Sequence, residues 1–514
     1  MEHATPTHDR PSHEPLETYL GRYADVLRRV FRDPEDELRT PLVRGVPPSD
    51  LRALLASGPL RAFIPSEHGG RGGHVAEAMA VLETSGYESL AMSLTIGING
   101  ALFVQPVAKY GSPELQARVF PRFVRHQNMG GLMMTEPDFG SDALNMETAW
   151  WTEDGRIRIR GVKHWAGLTG LADFWLMTAR SRGDGGRLGR DVDFFVLDEH
   201  DPDQAVVVEE RFHNLGLYAI PYGRNRIDVR VPEEQRLRPH RTGLKMMLDL
   251  LHRSRTQFPG MAIGFLRRLA DEALDHVRTR SVGGRSLLAY DQVQRRVAEL
   301  QASVTIASAM CVNAAETAGI EHDLSKNGLV ANSVKAVVTD RMHDGAQSLL
   351  QLVGAKGYRL DHLAGSATVD ARPFQIFEGS NDILFEQVAA ATLGAMRRAK
   401  ERHLGAFLAD YAPVRRAGET FRSLLDVQID PDLPQRRMVD FGRLIGQVVA
   451  AELVIDLGER GYRAERVRGA LEHLRAEVRS AFATFRSEDV TQPDEEPVEA
   501  GAWLAQVGRA GASG

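Results

Sequence analysis

The hydrophobic period of this chain changes twice, and that order restricts the fold more than any single motif. Before about residue 128, apolar residues recur at three- and four-residue spacing, as in Leu20, Tyr23, Val26, Leu27 and Val30. Between about 129 and 240 the period falls to two. Arg156-Ile157-Arg158-Ile159-Arg160, Asp193-Phe194-Phe195-Val196-Leu197, Ala205-Val206-Val207-Val208 and Arg226-Ile227-Asp228-Val229-Arg230-Val231 read as strands. Turn residues such as Glu153-Asp154-Gly155 separate them. Helical spacing then returns, with one stripe at Val293, Val297, Leu300, Val304 and Ala307 and another at Val334, Val338, Met342, Ala346, Leu349 and Val353. Strands inserted between helical blocks differ from the strand–helix alternation of a doubly wound sheet. The glycine-rich stretch Gly69 to Gly73 lacks the helix and acidic residue that a nicotinamide-binding fingerprint requires.

The expected architecture is therefore mainly α with an inserted β-domain. A disordered lead covers 1–15, an N-terminal helical domain 16–128, and a central β-barrel or sandwich 129–240. A four-helix bundle follows at 241–397, a further helical extension at 398–488, and a mobile acidic tail at 489–514. Composition narrows the function. A chain of 514 residues, 43% hydrophobic and 26% charged, has material for several ordinary globular cores. Its net charge of −6 is spread out, without the basic stripe of a nucleic-acid-binding protein. One cysteine, Cys311, excludes an intrachain disulfide framework and a multi-cysteine metal site, and suits a reducing cytoplasm. No apolar run is expected to reach the roughly 20 residues that span a bilayer. The N-terminus lacks the basic start and apolar core of a secretory signal.

Chemistry concentrates in a few segments. Asp370-Ala371-Arg372-Pro373-Phe374-Gln375-Ile376-Phe377-Glu378-Gly379-Ser380-Asn381-Asp382 sets one carboxylate, Glu378, between apolar residues and a glycine turn. Partial desolvation there lifts its pKa toward the range of a useful base. Met134-Thr135-Glu136-Pro137-Asp138-Phe139-Gly140-Ser141-Asp142 combines small residues with hydroxyls, suited to close approach and directional bonds. The same run also reads as a Pro-Gly turn with a local cap. Lys163-His164-Trp165-Ala166-Gly167 offers an aromatic beside small residues. Arg280 offers a guanidinium fork for phosphate oxygens. Gln351-Leu352-Val353-Gly354-Ala355-Lys356-Gly357-Tyr358 is a glycine turn, with a helix C-cap at Gly354 as the simpler account of its first glycine.

Taken in chain order, these segments resemble the acyl-CoA dehydrogenase family over about residues 60–392. The remainder resembles, more loosely, the C-terminal helical extension of its long-chain members. The resemblance implies FAD as cofactor and an acyl-CoA or acyl-carrier thioester as substrate. It also implies an electron-transfer flavoprotein as acceptor and a homodimer or homotetramer. Glu378 would remove the α-proton while the β-hydrogen leaves as hydride to flavin N5. The implied cofactor contacts are Met133, Met134, Thr135, Gly140, Ser141, Trp165, Ala166, Gly167, Arg280, Gln292, Gln351, Gly354, Ala355, Ser380 and Asp382. Arg280 and the Gln351 segment are implied to reach the flavin of a neighbouring subunit. Ser141, His252, Arg255 and Gly379 are the implied substrate contacts.

The sequence also departs from the family pattern. Gly167 stands where a threonine bonds the flavin, with Thr169 or a backbone amide as replacement. Gly283 replaces a phenylalanine, and Val369 the arginine of an Arg-Asp pair. His252 replaces an aspartate three residues before Arg255, read as a change at a solvated rim or as a sign of an acyl-carrier protein. Ser254 occupies a position where some branched-chain members carry their base; a serine cannot serve, which leaves Glu378. An acyl-CoA oxidase, an acyl-carrier-linked dehydrogenase and a non-catalytic thioester-binding protein remain alternatives. Glu378 argues against a flavin monooxygenase.

Overall fold

A computed structural model describes residues 14–32, 45–359, 361–487, 495–496 and 500–507. Most of the expected lead, and most of the expected tail, lie outside these residues. The N-terminal region comprises α1 (Leu16–Phe31), α2 (Pro48–Ala56), α3 (Val75–Glu88), α4 (Leu90–Asn99), α5 (Gln105–Tyr110) and α6 (Pro113–His126). α1 buries Tyr19, Tyr23, Leu27 and Val30; the last three belong to the stripe read in the sequence, whose Leu20 and Val26 are half-buried. The expectation of no long apolar run is corrected here. Leu90–Tyr110 is a 21-residue helical stretch apolar enough to span a bilayer, and its apolar window is wholly buried inside the protein. It is a core element, in contact with α3 and α7 (Gly243–Thr279).

The β-domain holds β1 (Gly130–Met133), β2 (Ala149–Glu153), β3 (Arg156–His164), β4 (Phe174–Ser181), β5 (Asp193–Asp198), β6 (Val207–Arg211) and β7 (Gly223–Val231). One path runs β1-β4-β2-β3-β7-β6, and β5 pairs with β4. β1 and β2 lie parallel to successive parts of β4, Gly130 opposite Phe174 and Ala149 opposite Arg180. The remaining pairs in this sheet are antiparallel. β4 escapes a period-two search because residues Phe174 to Ala179 are all buried, as in a strand covered on both faces. The strand expected at Ala205–Val208 instead begins at Val207 and continues to Arg211. Leu215 to Tyr218 lie in the loop between β6 and β7.

The bundle is α7, α8 (Asp291–Thr317), α9 (Gly328–Val353) and α11 (Asn381–Ala399), with α10 (Leu363–Ala371) before the last. The Thr242 hydroxyl caps α7 by accepting from Lys245 N at 3.2 Å. The Asp191 carboxylate accepts from Gly243 N and Leu244 N at 2.9 and 2.8 Å. An acid from the β-domain thus neutralises the positive end of the longest bundle helix. The extension adds α12 (Leu404–Asp410), α13 (Arg415–Phe421), α14 (Gln435–Glu459) and α15 (Ala464–Arg486). α14 packs on α8, α9 and α11, and α15 packs on α14 and α8. One contiguous apolar core joins the N-terminal, β, bundle and extension regions.

Candidate active site

Glu378 lies between the short turn Arg372–Gln375 and the start of α11. Its φ is +53°, in the left-handed region, and Gly379 follows at +90°. For a non-glycine residue this costs on the order of 1–3 kcal/mol and persists only where surrounding contacts fix it. Two buried cations do so through carbonyls: Arg255 Nε donates to Glu378 O at 3.0 Å, and Lys335 Nζ to Gly379 O at 2.9 Å. Lys335 also donates to Asn381 Oδ1 at 3.0 Å, and Arg255 Nη1 to Asn332 Oδ1 at 2.8 Å. Phe377, Phe374 and Phe258 form a ring cluster with centroids 5.0 to 6.0 Å apart.

The carboxylate itself is held asymmetrically. Ser254 Oγ donates to Glu378 Oε1 at 3.0 Å, whereas Oε2 is buried without a hydrogen-bond partner among the described residues. Burial lifts this carboxyl above its ordinary range, and Arg255, the Ser254 hydroxyl and Lys335 pull it partly back. Burial also lowers the Lys335 ammonium to about 7, against the pull of Glu378. The sequence singled out Glu378, and Arg255 as a thioester contact; Arg255 is instead buried and holds the Glu378 carbonyl, and Lys335 and the Ser254 hydroxyl bond were not foreseen. Ser254, too weak a proton acceptor to serve as a base, orients the Glu378 carboxylate.

A second group of residues surrounds Trp165. Its indole is 53% exposed and its φ is +55°. Phe212 and Tyr222 stand beside it at 4.6 and 6.2 Å between centroids. Met133 ends β1, and Thr135 O accepts from His164 N at 2.8 Å, which ties the Met134–Asp142 run to the tryptophan turn. Beneath that run lies a buried ion pair that the sequence reading overlooked. Glu136 accepts from Glu147 N at 2.6 Å, Thr148 N at 3.0 Å and Lys163 Nζ at 2.9 Å. Gly140 and Ser141 are open to solvent, and Ala166 is buried. At Gly167 an added Cβ would stand 2.8 Å from Ile98 Cδ1, so a threonine does not fit without moving Ile98. Thr169 is no replacement: it is fully buried, donates to Ala166 O at 2.8 Å and accepts from Asn225 Nδ2 at 3.1 Å.

The loop between β6 and β7 connects the two groups. Phe212 and Tyr222 touch Trp165 at one side, while Leu217 N donates to Asp370 Oδ1 at 2.6 Å at the end of α10. Asp370, with Val369 in place of an arginine, is half-buried with no cation paired to it among the described residues, and desolvation pushes it up to about 6. His252 is a correction. It is 4% exposed, not at a solvated rim, and its Nδ1 pairs with Leu324 O at 2.7 Å. Nearby, Asp249 accepts from Lys109, Tyr110, Arg253 and Leu324 N, another network invisible to motif reading.

The remaining implied cofactor residues fall elsewhere. Arg280, Gln292, Gln351, Gly354 and Ala355 are exposed, around the end where Val277, Val293, Val297 and Leu352 pack together. Gly283 and Gly284, both at positive φ, turn a two-residue hairpin between Ser281–Val282 and Arg285–Ser286, which explains why no phenylalanine stands there. Ser380 is half-buried and Asp382 exposed at the start of α11.

Comparison with known proteins agrees with this architecture. Residues 29–127, 131–229 and 241–393 match the N-terminal, middle and C-terminal domains of acyl-CoA dehydrogenase. An acyl-CoA dehydrogenase of Bacillus subtilis is 25% identical over 326 residues, covering 62% of this chain and 83% of that protein. The structure of an acyl-CoA dehydrogenase from Bacillus anthracis, complexed with FAD, superposes with a TM-score of 0.73 at 15% identity. That similarity covers 94% of this chain, the extension included, and 90% of the other. Butyryl-CoA dehydrogenase of Megasphaera elsdenii gives 0.65 at 19% identity, over 76% of this chain and 100% of that one. The chain belongs to the acyl-CoA dehydrogenase family and is a flavin-dependent oxidoreductase that takes FAD. Its residues suit that cofactor: an exposed indole, solvent-open Gly140 and Ser141, and a buried carboxylate oxygen with no partner.

Proposed function

We propose that the protein desaturates an acyl thioester between its α and β carbons, with Glu378 as the base that removes the α-proton. The observation that carries this reading is the division of labour between the two carboxylate oxygens. Oε1 is fixed by Ser254, and Oε2 is buried with no partner among the described residues. An unpartnered buried acceptor is costly, and a substrate C–H presented to it is a use that justifies the cost. The raised carboxyl pKa strengthens Glu378 as a base, because a carboxylate that is hard to ionise takes a proton more readily.

Bound FAD supplies the acceptor for the β-hydrogen as hydride. The chain contributes orientation and polarity. Arg255 and Lys335 hold the base turn by its carbonyls, and the Glu378 N–H is the chain's donor for the thioester oxygen, where charge develops as the α-proton leaves. The phenylalanine cluster keeps water from the carboxylate. The implied thioester contacts Ser141 and Gly379 belong to this reading. His252 and Arg255 enter it as supports of the site, since both are buried and engaged with the chain. The exposed Arg280 and Gln351 surface supports a second copy of the chain as the source of the remaining FAD contacts.

The test is product analysis. Incubated with a panel of acyl-CoA thioesters and an artificial electron acceptor, the protein is expected to yield 2-enoyl thioesters, identified by mass spectrometry. Glu378→Gln is expected to bind FAD and form none. Equal product from Glu378→Gln would remove Glu378 from the reaction.

A further inference from the structure

The C-terminal extension meets the bundle through a tightly packed seam. On α14, an added Cβ at Gly442 would stand 1.8 Å from Phe385 O of α11. At Gly446 it would stand 3.2 Å from both Phe385 Cε1 and Val337 Cγ2. Two small residues one helical turn apart therefore let α14 lie directly against α11 and α9. Arg443 sits between them, and the packing fixes where its side chain goes. Its guanidinium stacks over the Phe385 ring at 4.6 Å, and Nη1 donates to Asp340 Oδ2 at 2.8 Å.

Asp340 is the pivot. Its other oxygen, Oδ1, accepts from Gln375 Nε2 and from Asn381 Nδ2, both at 2.7 Å. Gln375 and Asn381 bracket Glu378 on its two sides. Asn381 also accepts from Lys335 Nζ at 3.0 Å, and Lys335 holds Gly379 O. A continuous set of hydrogen bonds thus runs from the extension to both ends of the strained turn that presents the base.

We propose that the extension is part of the catalytic apparatus: Arg443 is a positioning residue that, through Asp340, holds the Gln375–Asn381 turn in the conformation that aims Glu378. This rests on Glu378 acting as the base. A turn with a non-glycine residue at φ +53° relaxes when its anchors weaken, and Arg443 aligns the Asp340 carboxylate that anchors both flanks. Losing that alignment misdirects Oε2 without removing it.

The experiment compares full-length wild type, Arg443→Leu, Arg443→Lys, Asp340→Asn and Glu378→Gln in anaerobic flavin reduction by acyl-CoA thioester. Arg443→Leu is expected to keep FAD and thioester affinity while its limiting reduction rate falls roughly 10-fold, the scale of a small misplacement of a reacting group. Arg443→Lys is expected to recover most of the rate, since an ammonium keeps the charge beside Asp340. Asp340→Asn is expected to slow reduction as well, and it carries the test if Arg443→Leu does not fold. Rates within about twofold of wild type in Arg443→Leu and Asp340→Asn, with Glu378→Gln inert, would overturn the positioning role. So would a slow Asp340→Asn beside an unaffected Arg443→Leu, or a rate loss matched by an equal loss of thioester affinity. Wild-type reduction by Glu378→Gln would instead overturn the base assignment.

Discussion

Replacing Lys163 by methionine is expected to destabilise the β-domain more than any motif-based reading of this residue implies. Lys163 is fully buried, and it donates to Glu136 Oε1 at 2.9 Å, Thr178 Oγ1 at 3.1 Å and Met134 O at 3.2 Å. Burial, opposed by Glu136, lowers its ammonium to about 8. Lys163→Met leaves the Glu136 carboxylate buried with only the Glu147 and Thr148 amides. Removing one partner of a buried pair costs about 3–5 kcal/mol, because the other charge stays uncompensated. The double variant Lys163→Met/Glu136→Gln removes both charges; the amide oxygen still accepts from one of the two backbone N–H groups, and only the other is left without its acceptor. It is expected to be more stable than Lys163→Met alone, a coupling that independent sites would not give. Trp150, Trp151, Trp165 and Trp175 all lie in or beside this sheet, so urea unfolding followed by tryptophan fluorescence reports the affected domain. The single variant should also lose FAD, since the pair underlies the Met134–Asp142 run. A loss below about 1 kcal/mol, typical of exposed pairs, would show that Glu136 is not left uncompensated by the change.

Three further outcomes follow from the geometry. With Glu378 proposed as the base, flavin reduction should rise with pH through a kinetic pKa above the ordinary carboxylate range, because burial raises that carboxyl; Ser254→Ala should move the pKa higher still and Ser254→Thr should not, as a pH–rate profile will tell. Gly167→Thr should cost about 1–3 kcal/mol by overpacking against Ile98, and adding Ile98→Val should restore part of the melting temperature. Asp370 has a folded pKa raised from 3.8 to about 6, so its contribution is fully present below the unfolded pKa and fades as pH rises through the folded one. Asp370→Asn should therefore gain stability over wild type at neutral pH, by up to about 3 kcal/mol, and gain little in acid; equal gains in thermal unfolding at both would contradict this.

How far the sequence was legible depended on the distance over which each feature is decided. The helix–strand–helix order and the buried stripes of α1, α8 and α9 were readable because amphipathic period is local. β4 was not, because a strand buried on both faces loses its alternation. Glu378 was readable from its aromatic and glycine neighbours. Its partners were not: Ser254 lies 124 residues away, and a lysine in an apolar helix gives no sign of which turn it will hold. The Glu136–Lys163 pair lay inside recognised motifs and was passed over, since nothing local shows that two residues 27 positions apart meet in the core. His252 was read as a rim residue because its neighbours in sequence do not reveal that Leu324 covers it. Gly167 was seen as a lost contact, and only the packing of Ile98 supplies the reason.

The most direct measurement is the visible spectrum of the purified protein and of Glu378→Gln during anaerobic addition of acyl-CoA thioesters of graded chain length. Bleaching of the flavin band in the wild type by some thioesters, with an unbleached flavin in Glu378→Gln, is the predicted result. Readmitted air then distinguishes an oxidase, which regains its colour quickly, from a dehydrogenase that needs a protein acceptor. A wild-type flavin that no acyl thioester bleaches, or a Glu378→Gln variant that bleaches as fast as the wild type, would contradict the account.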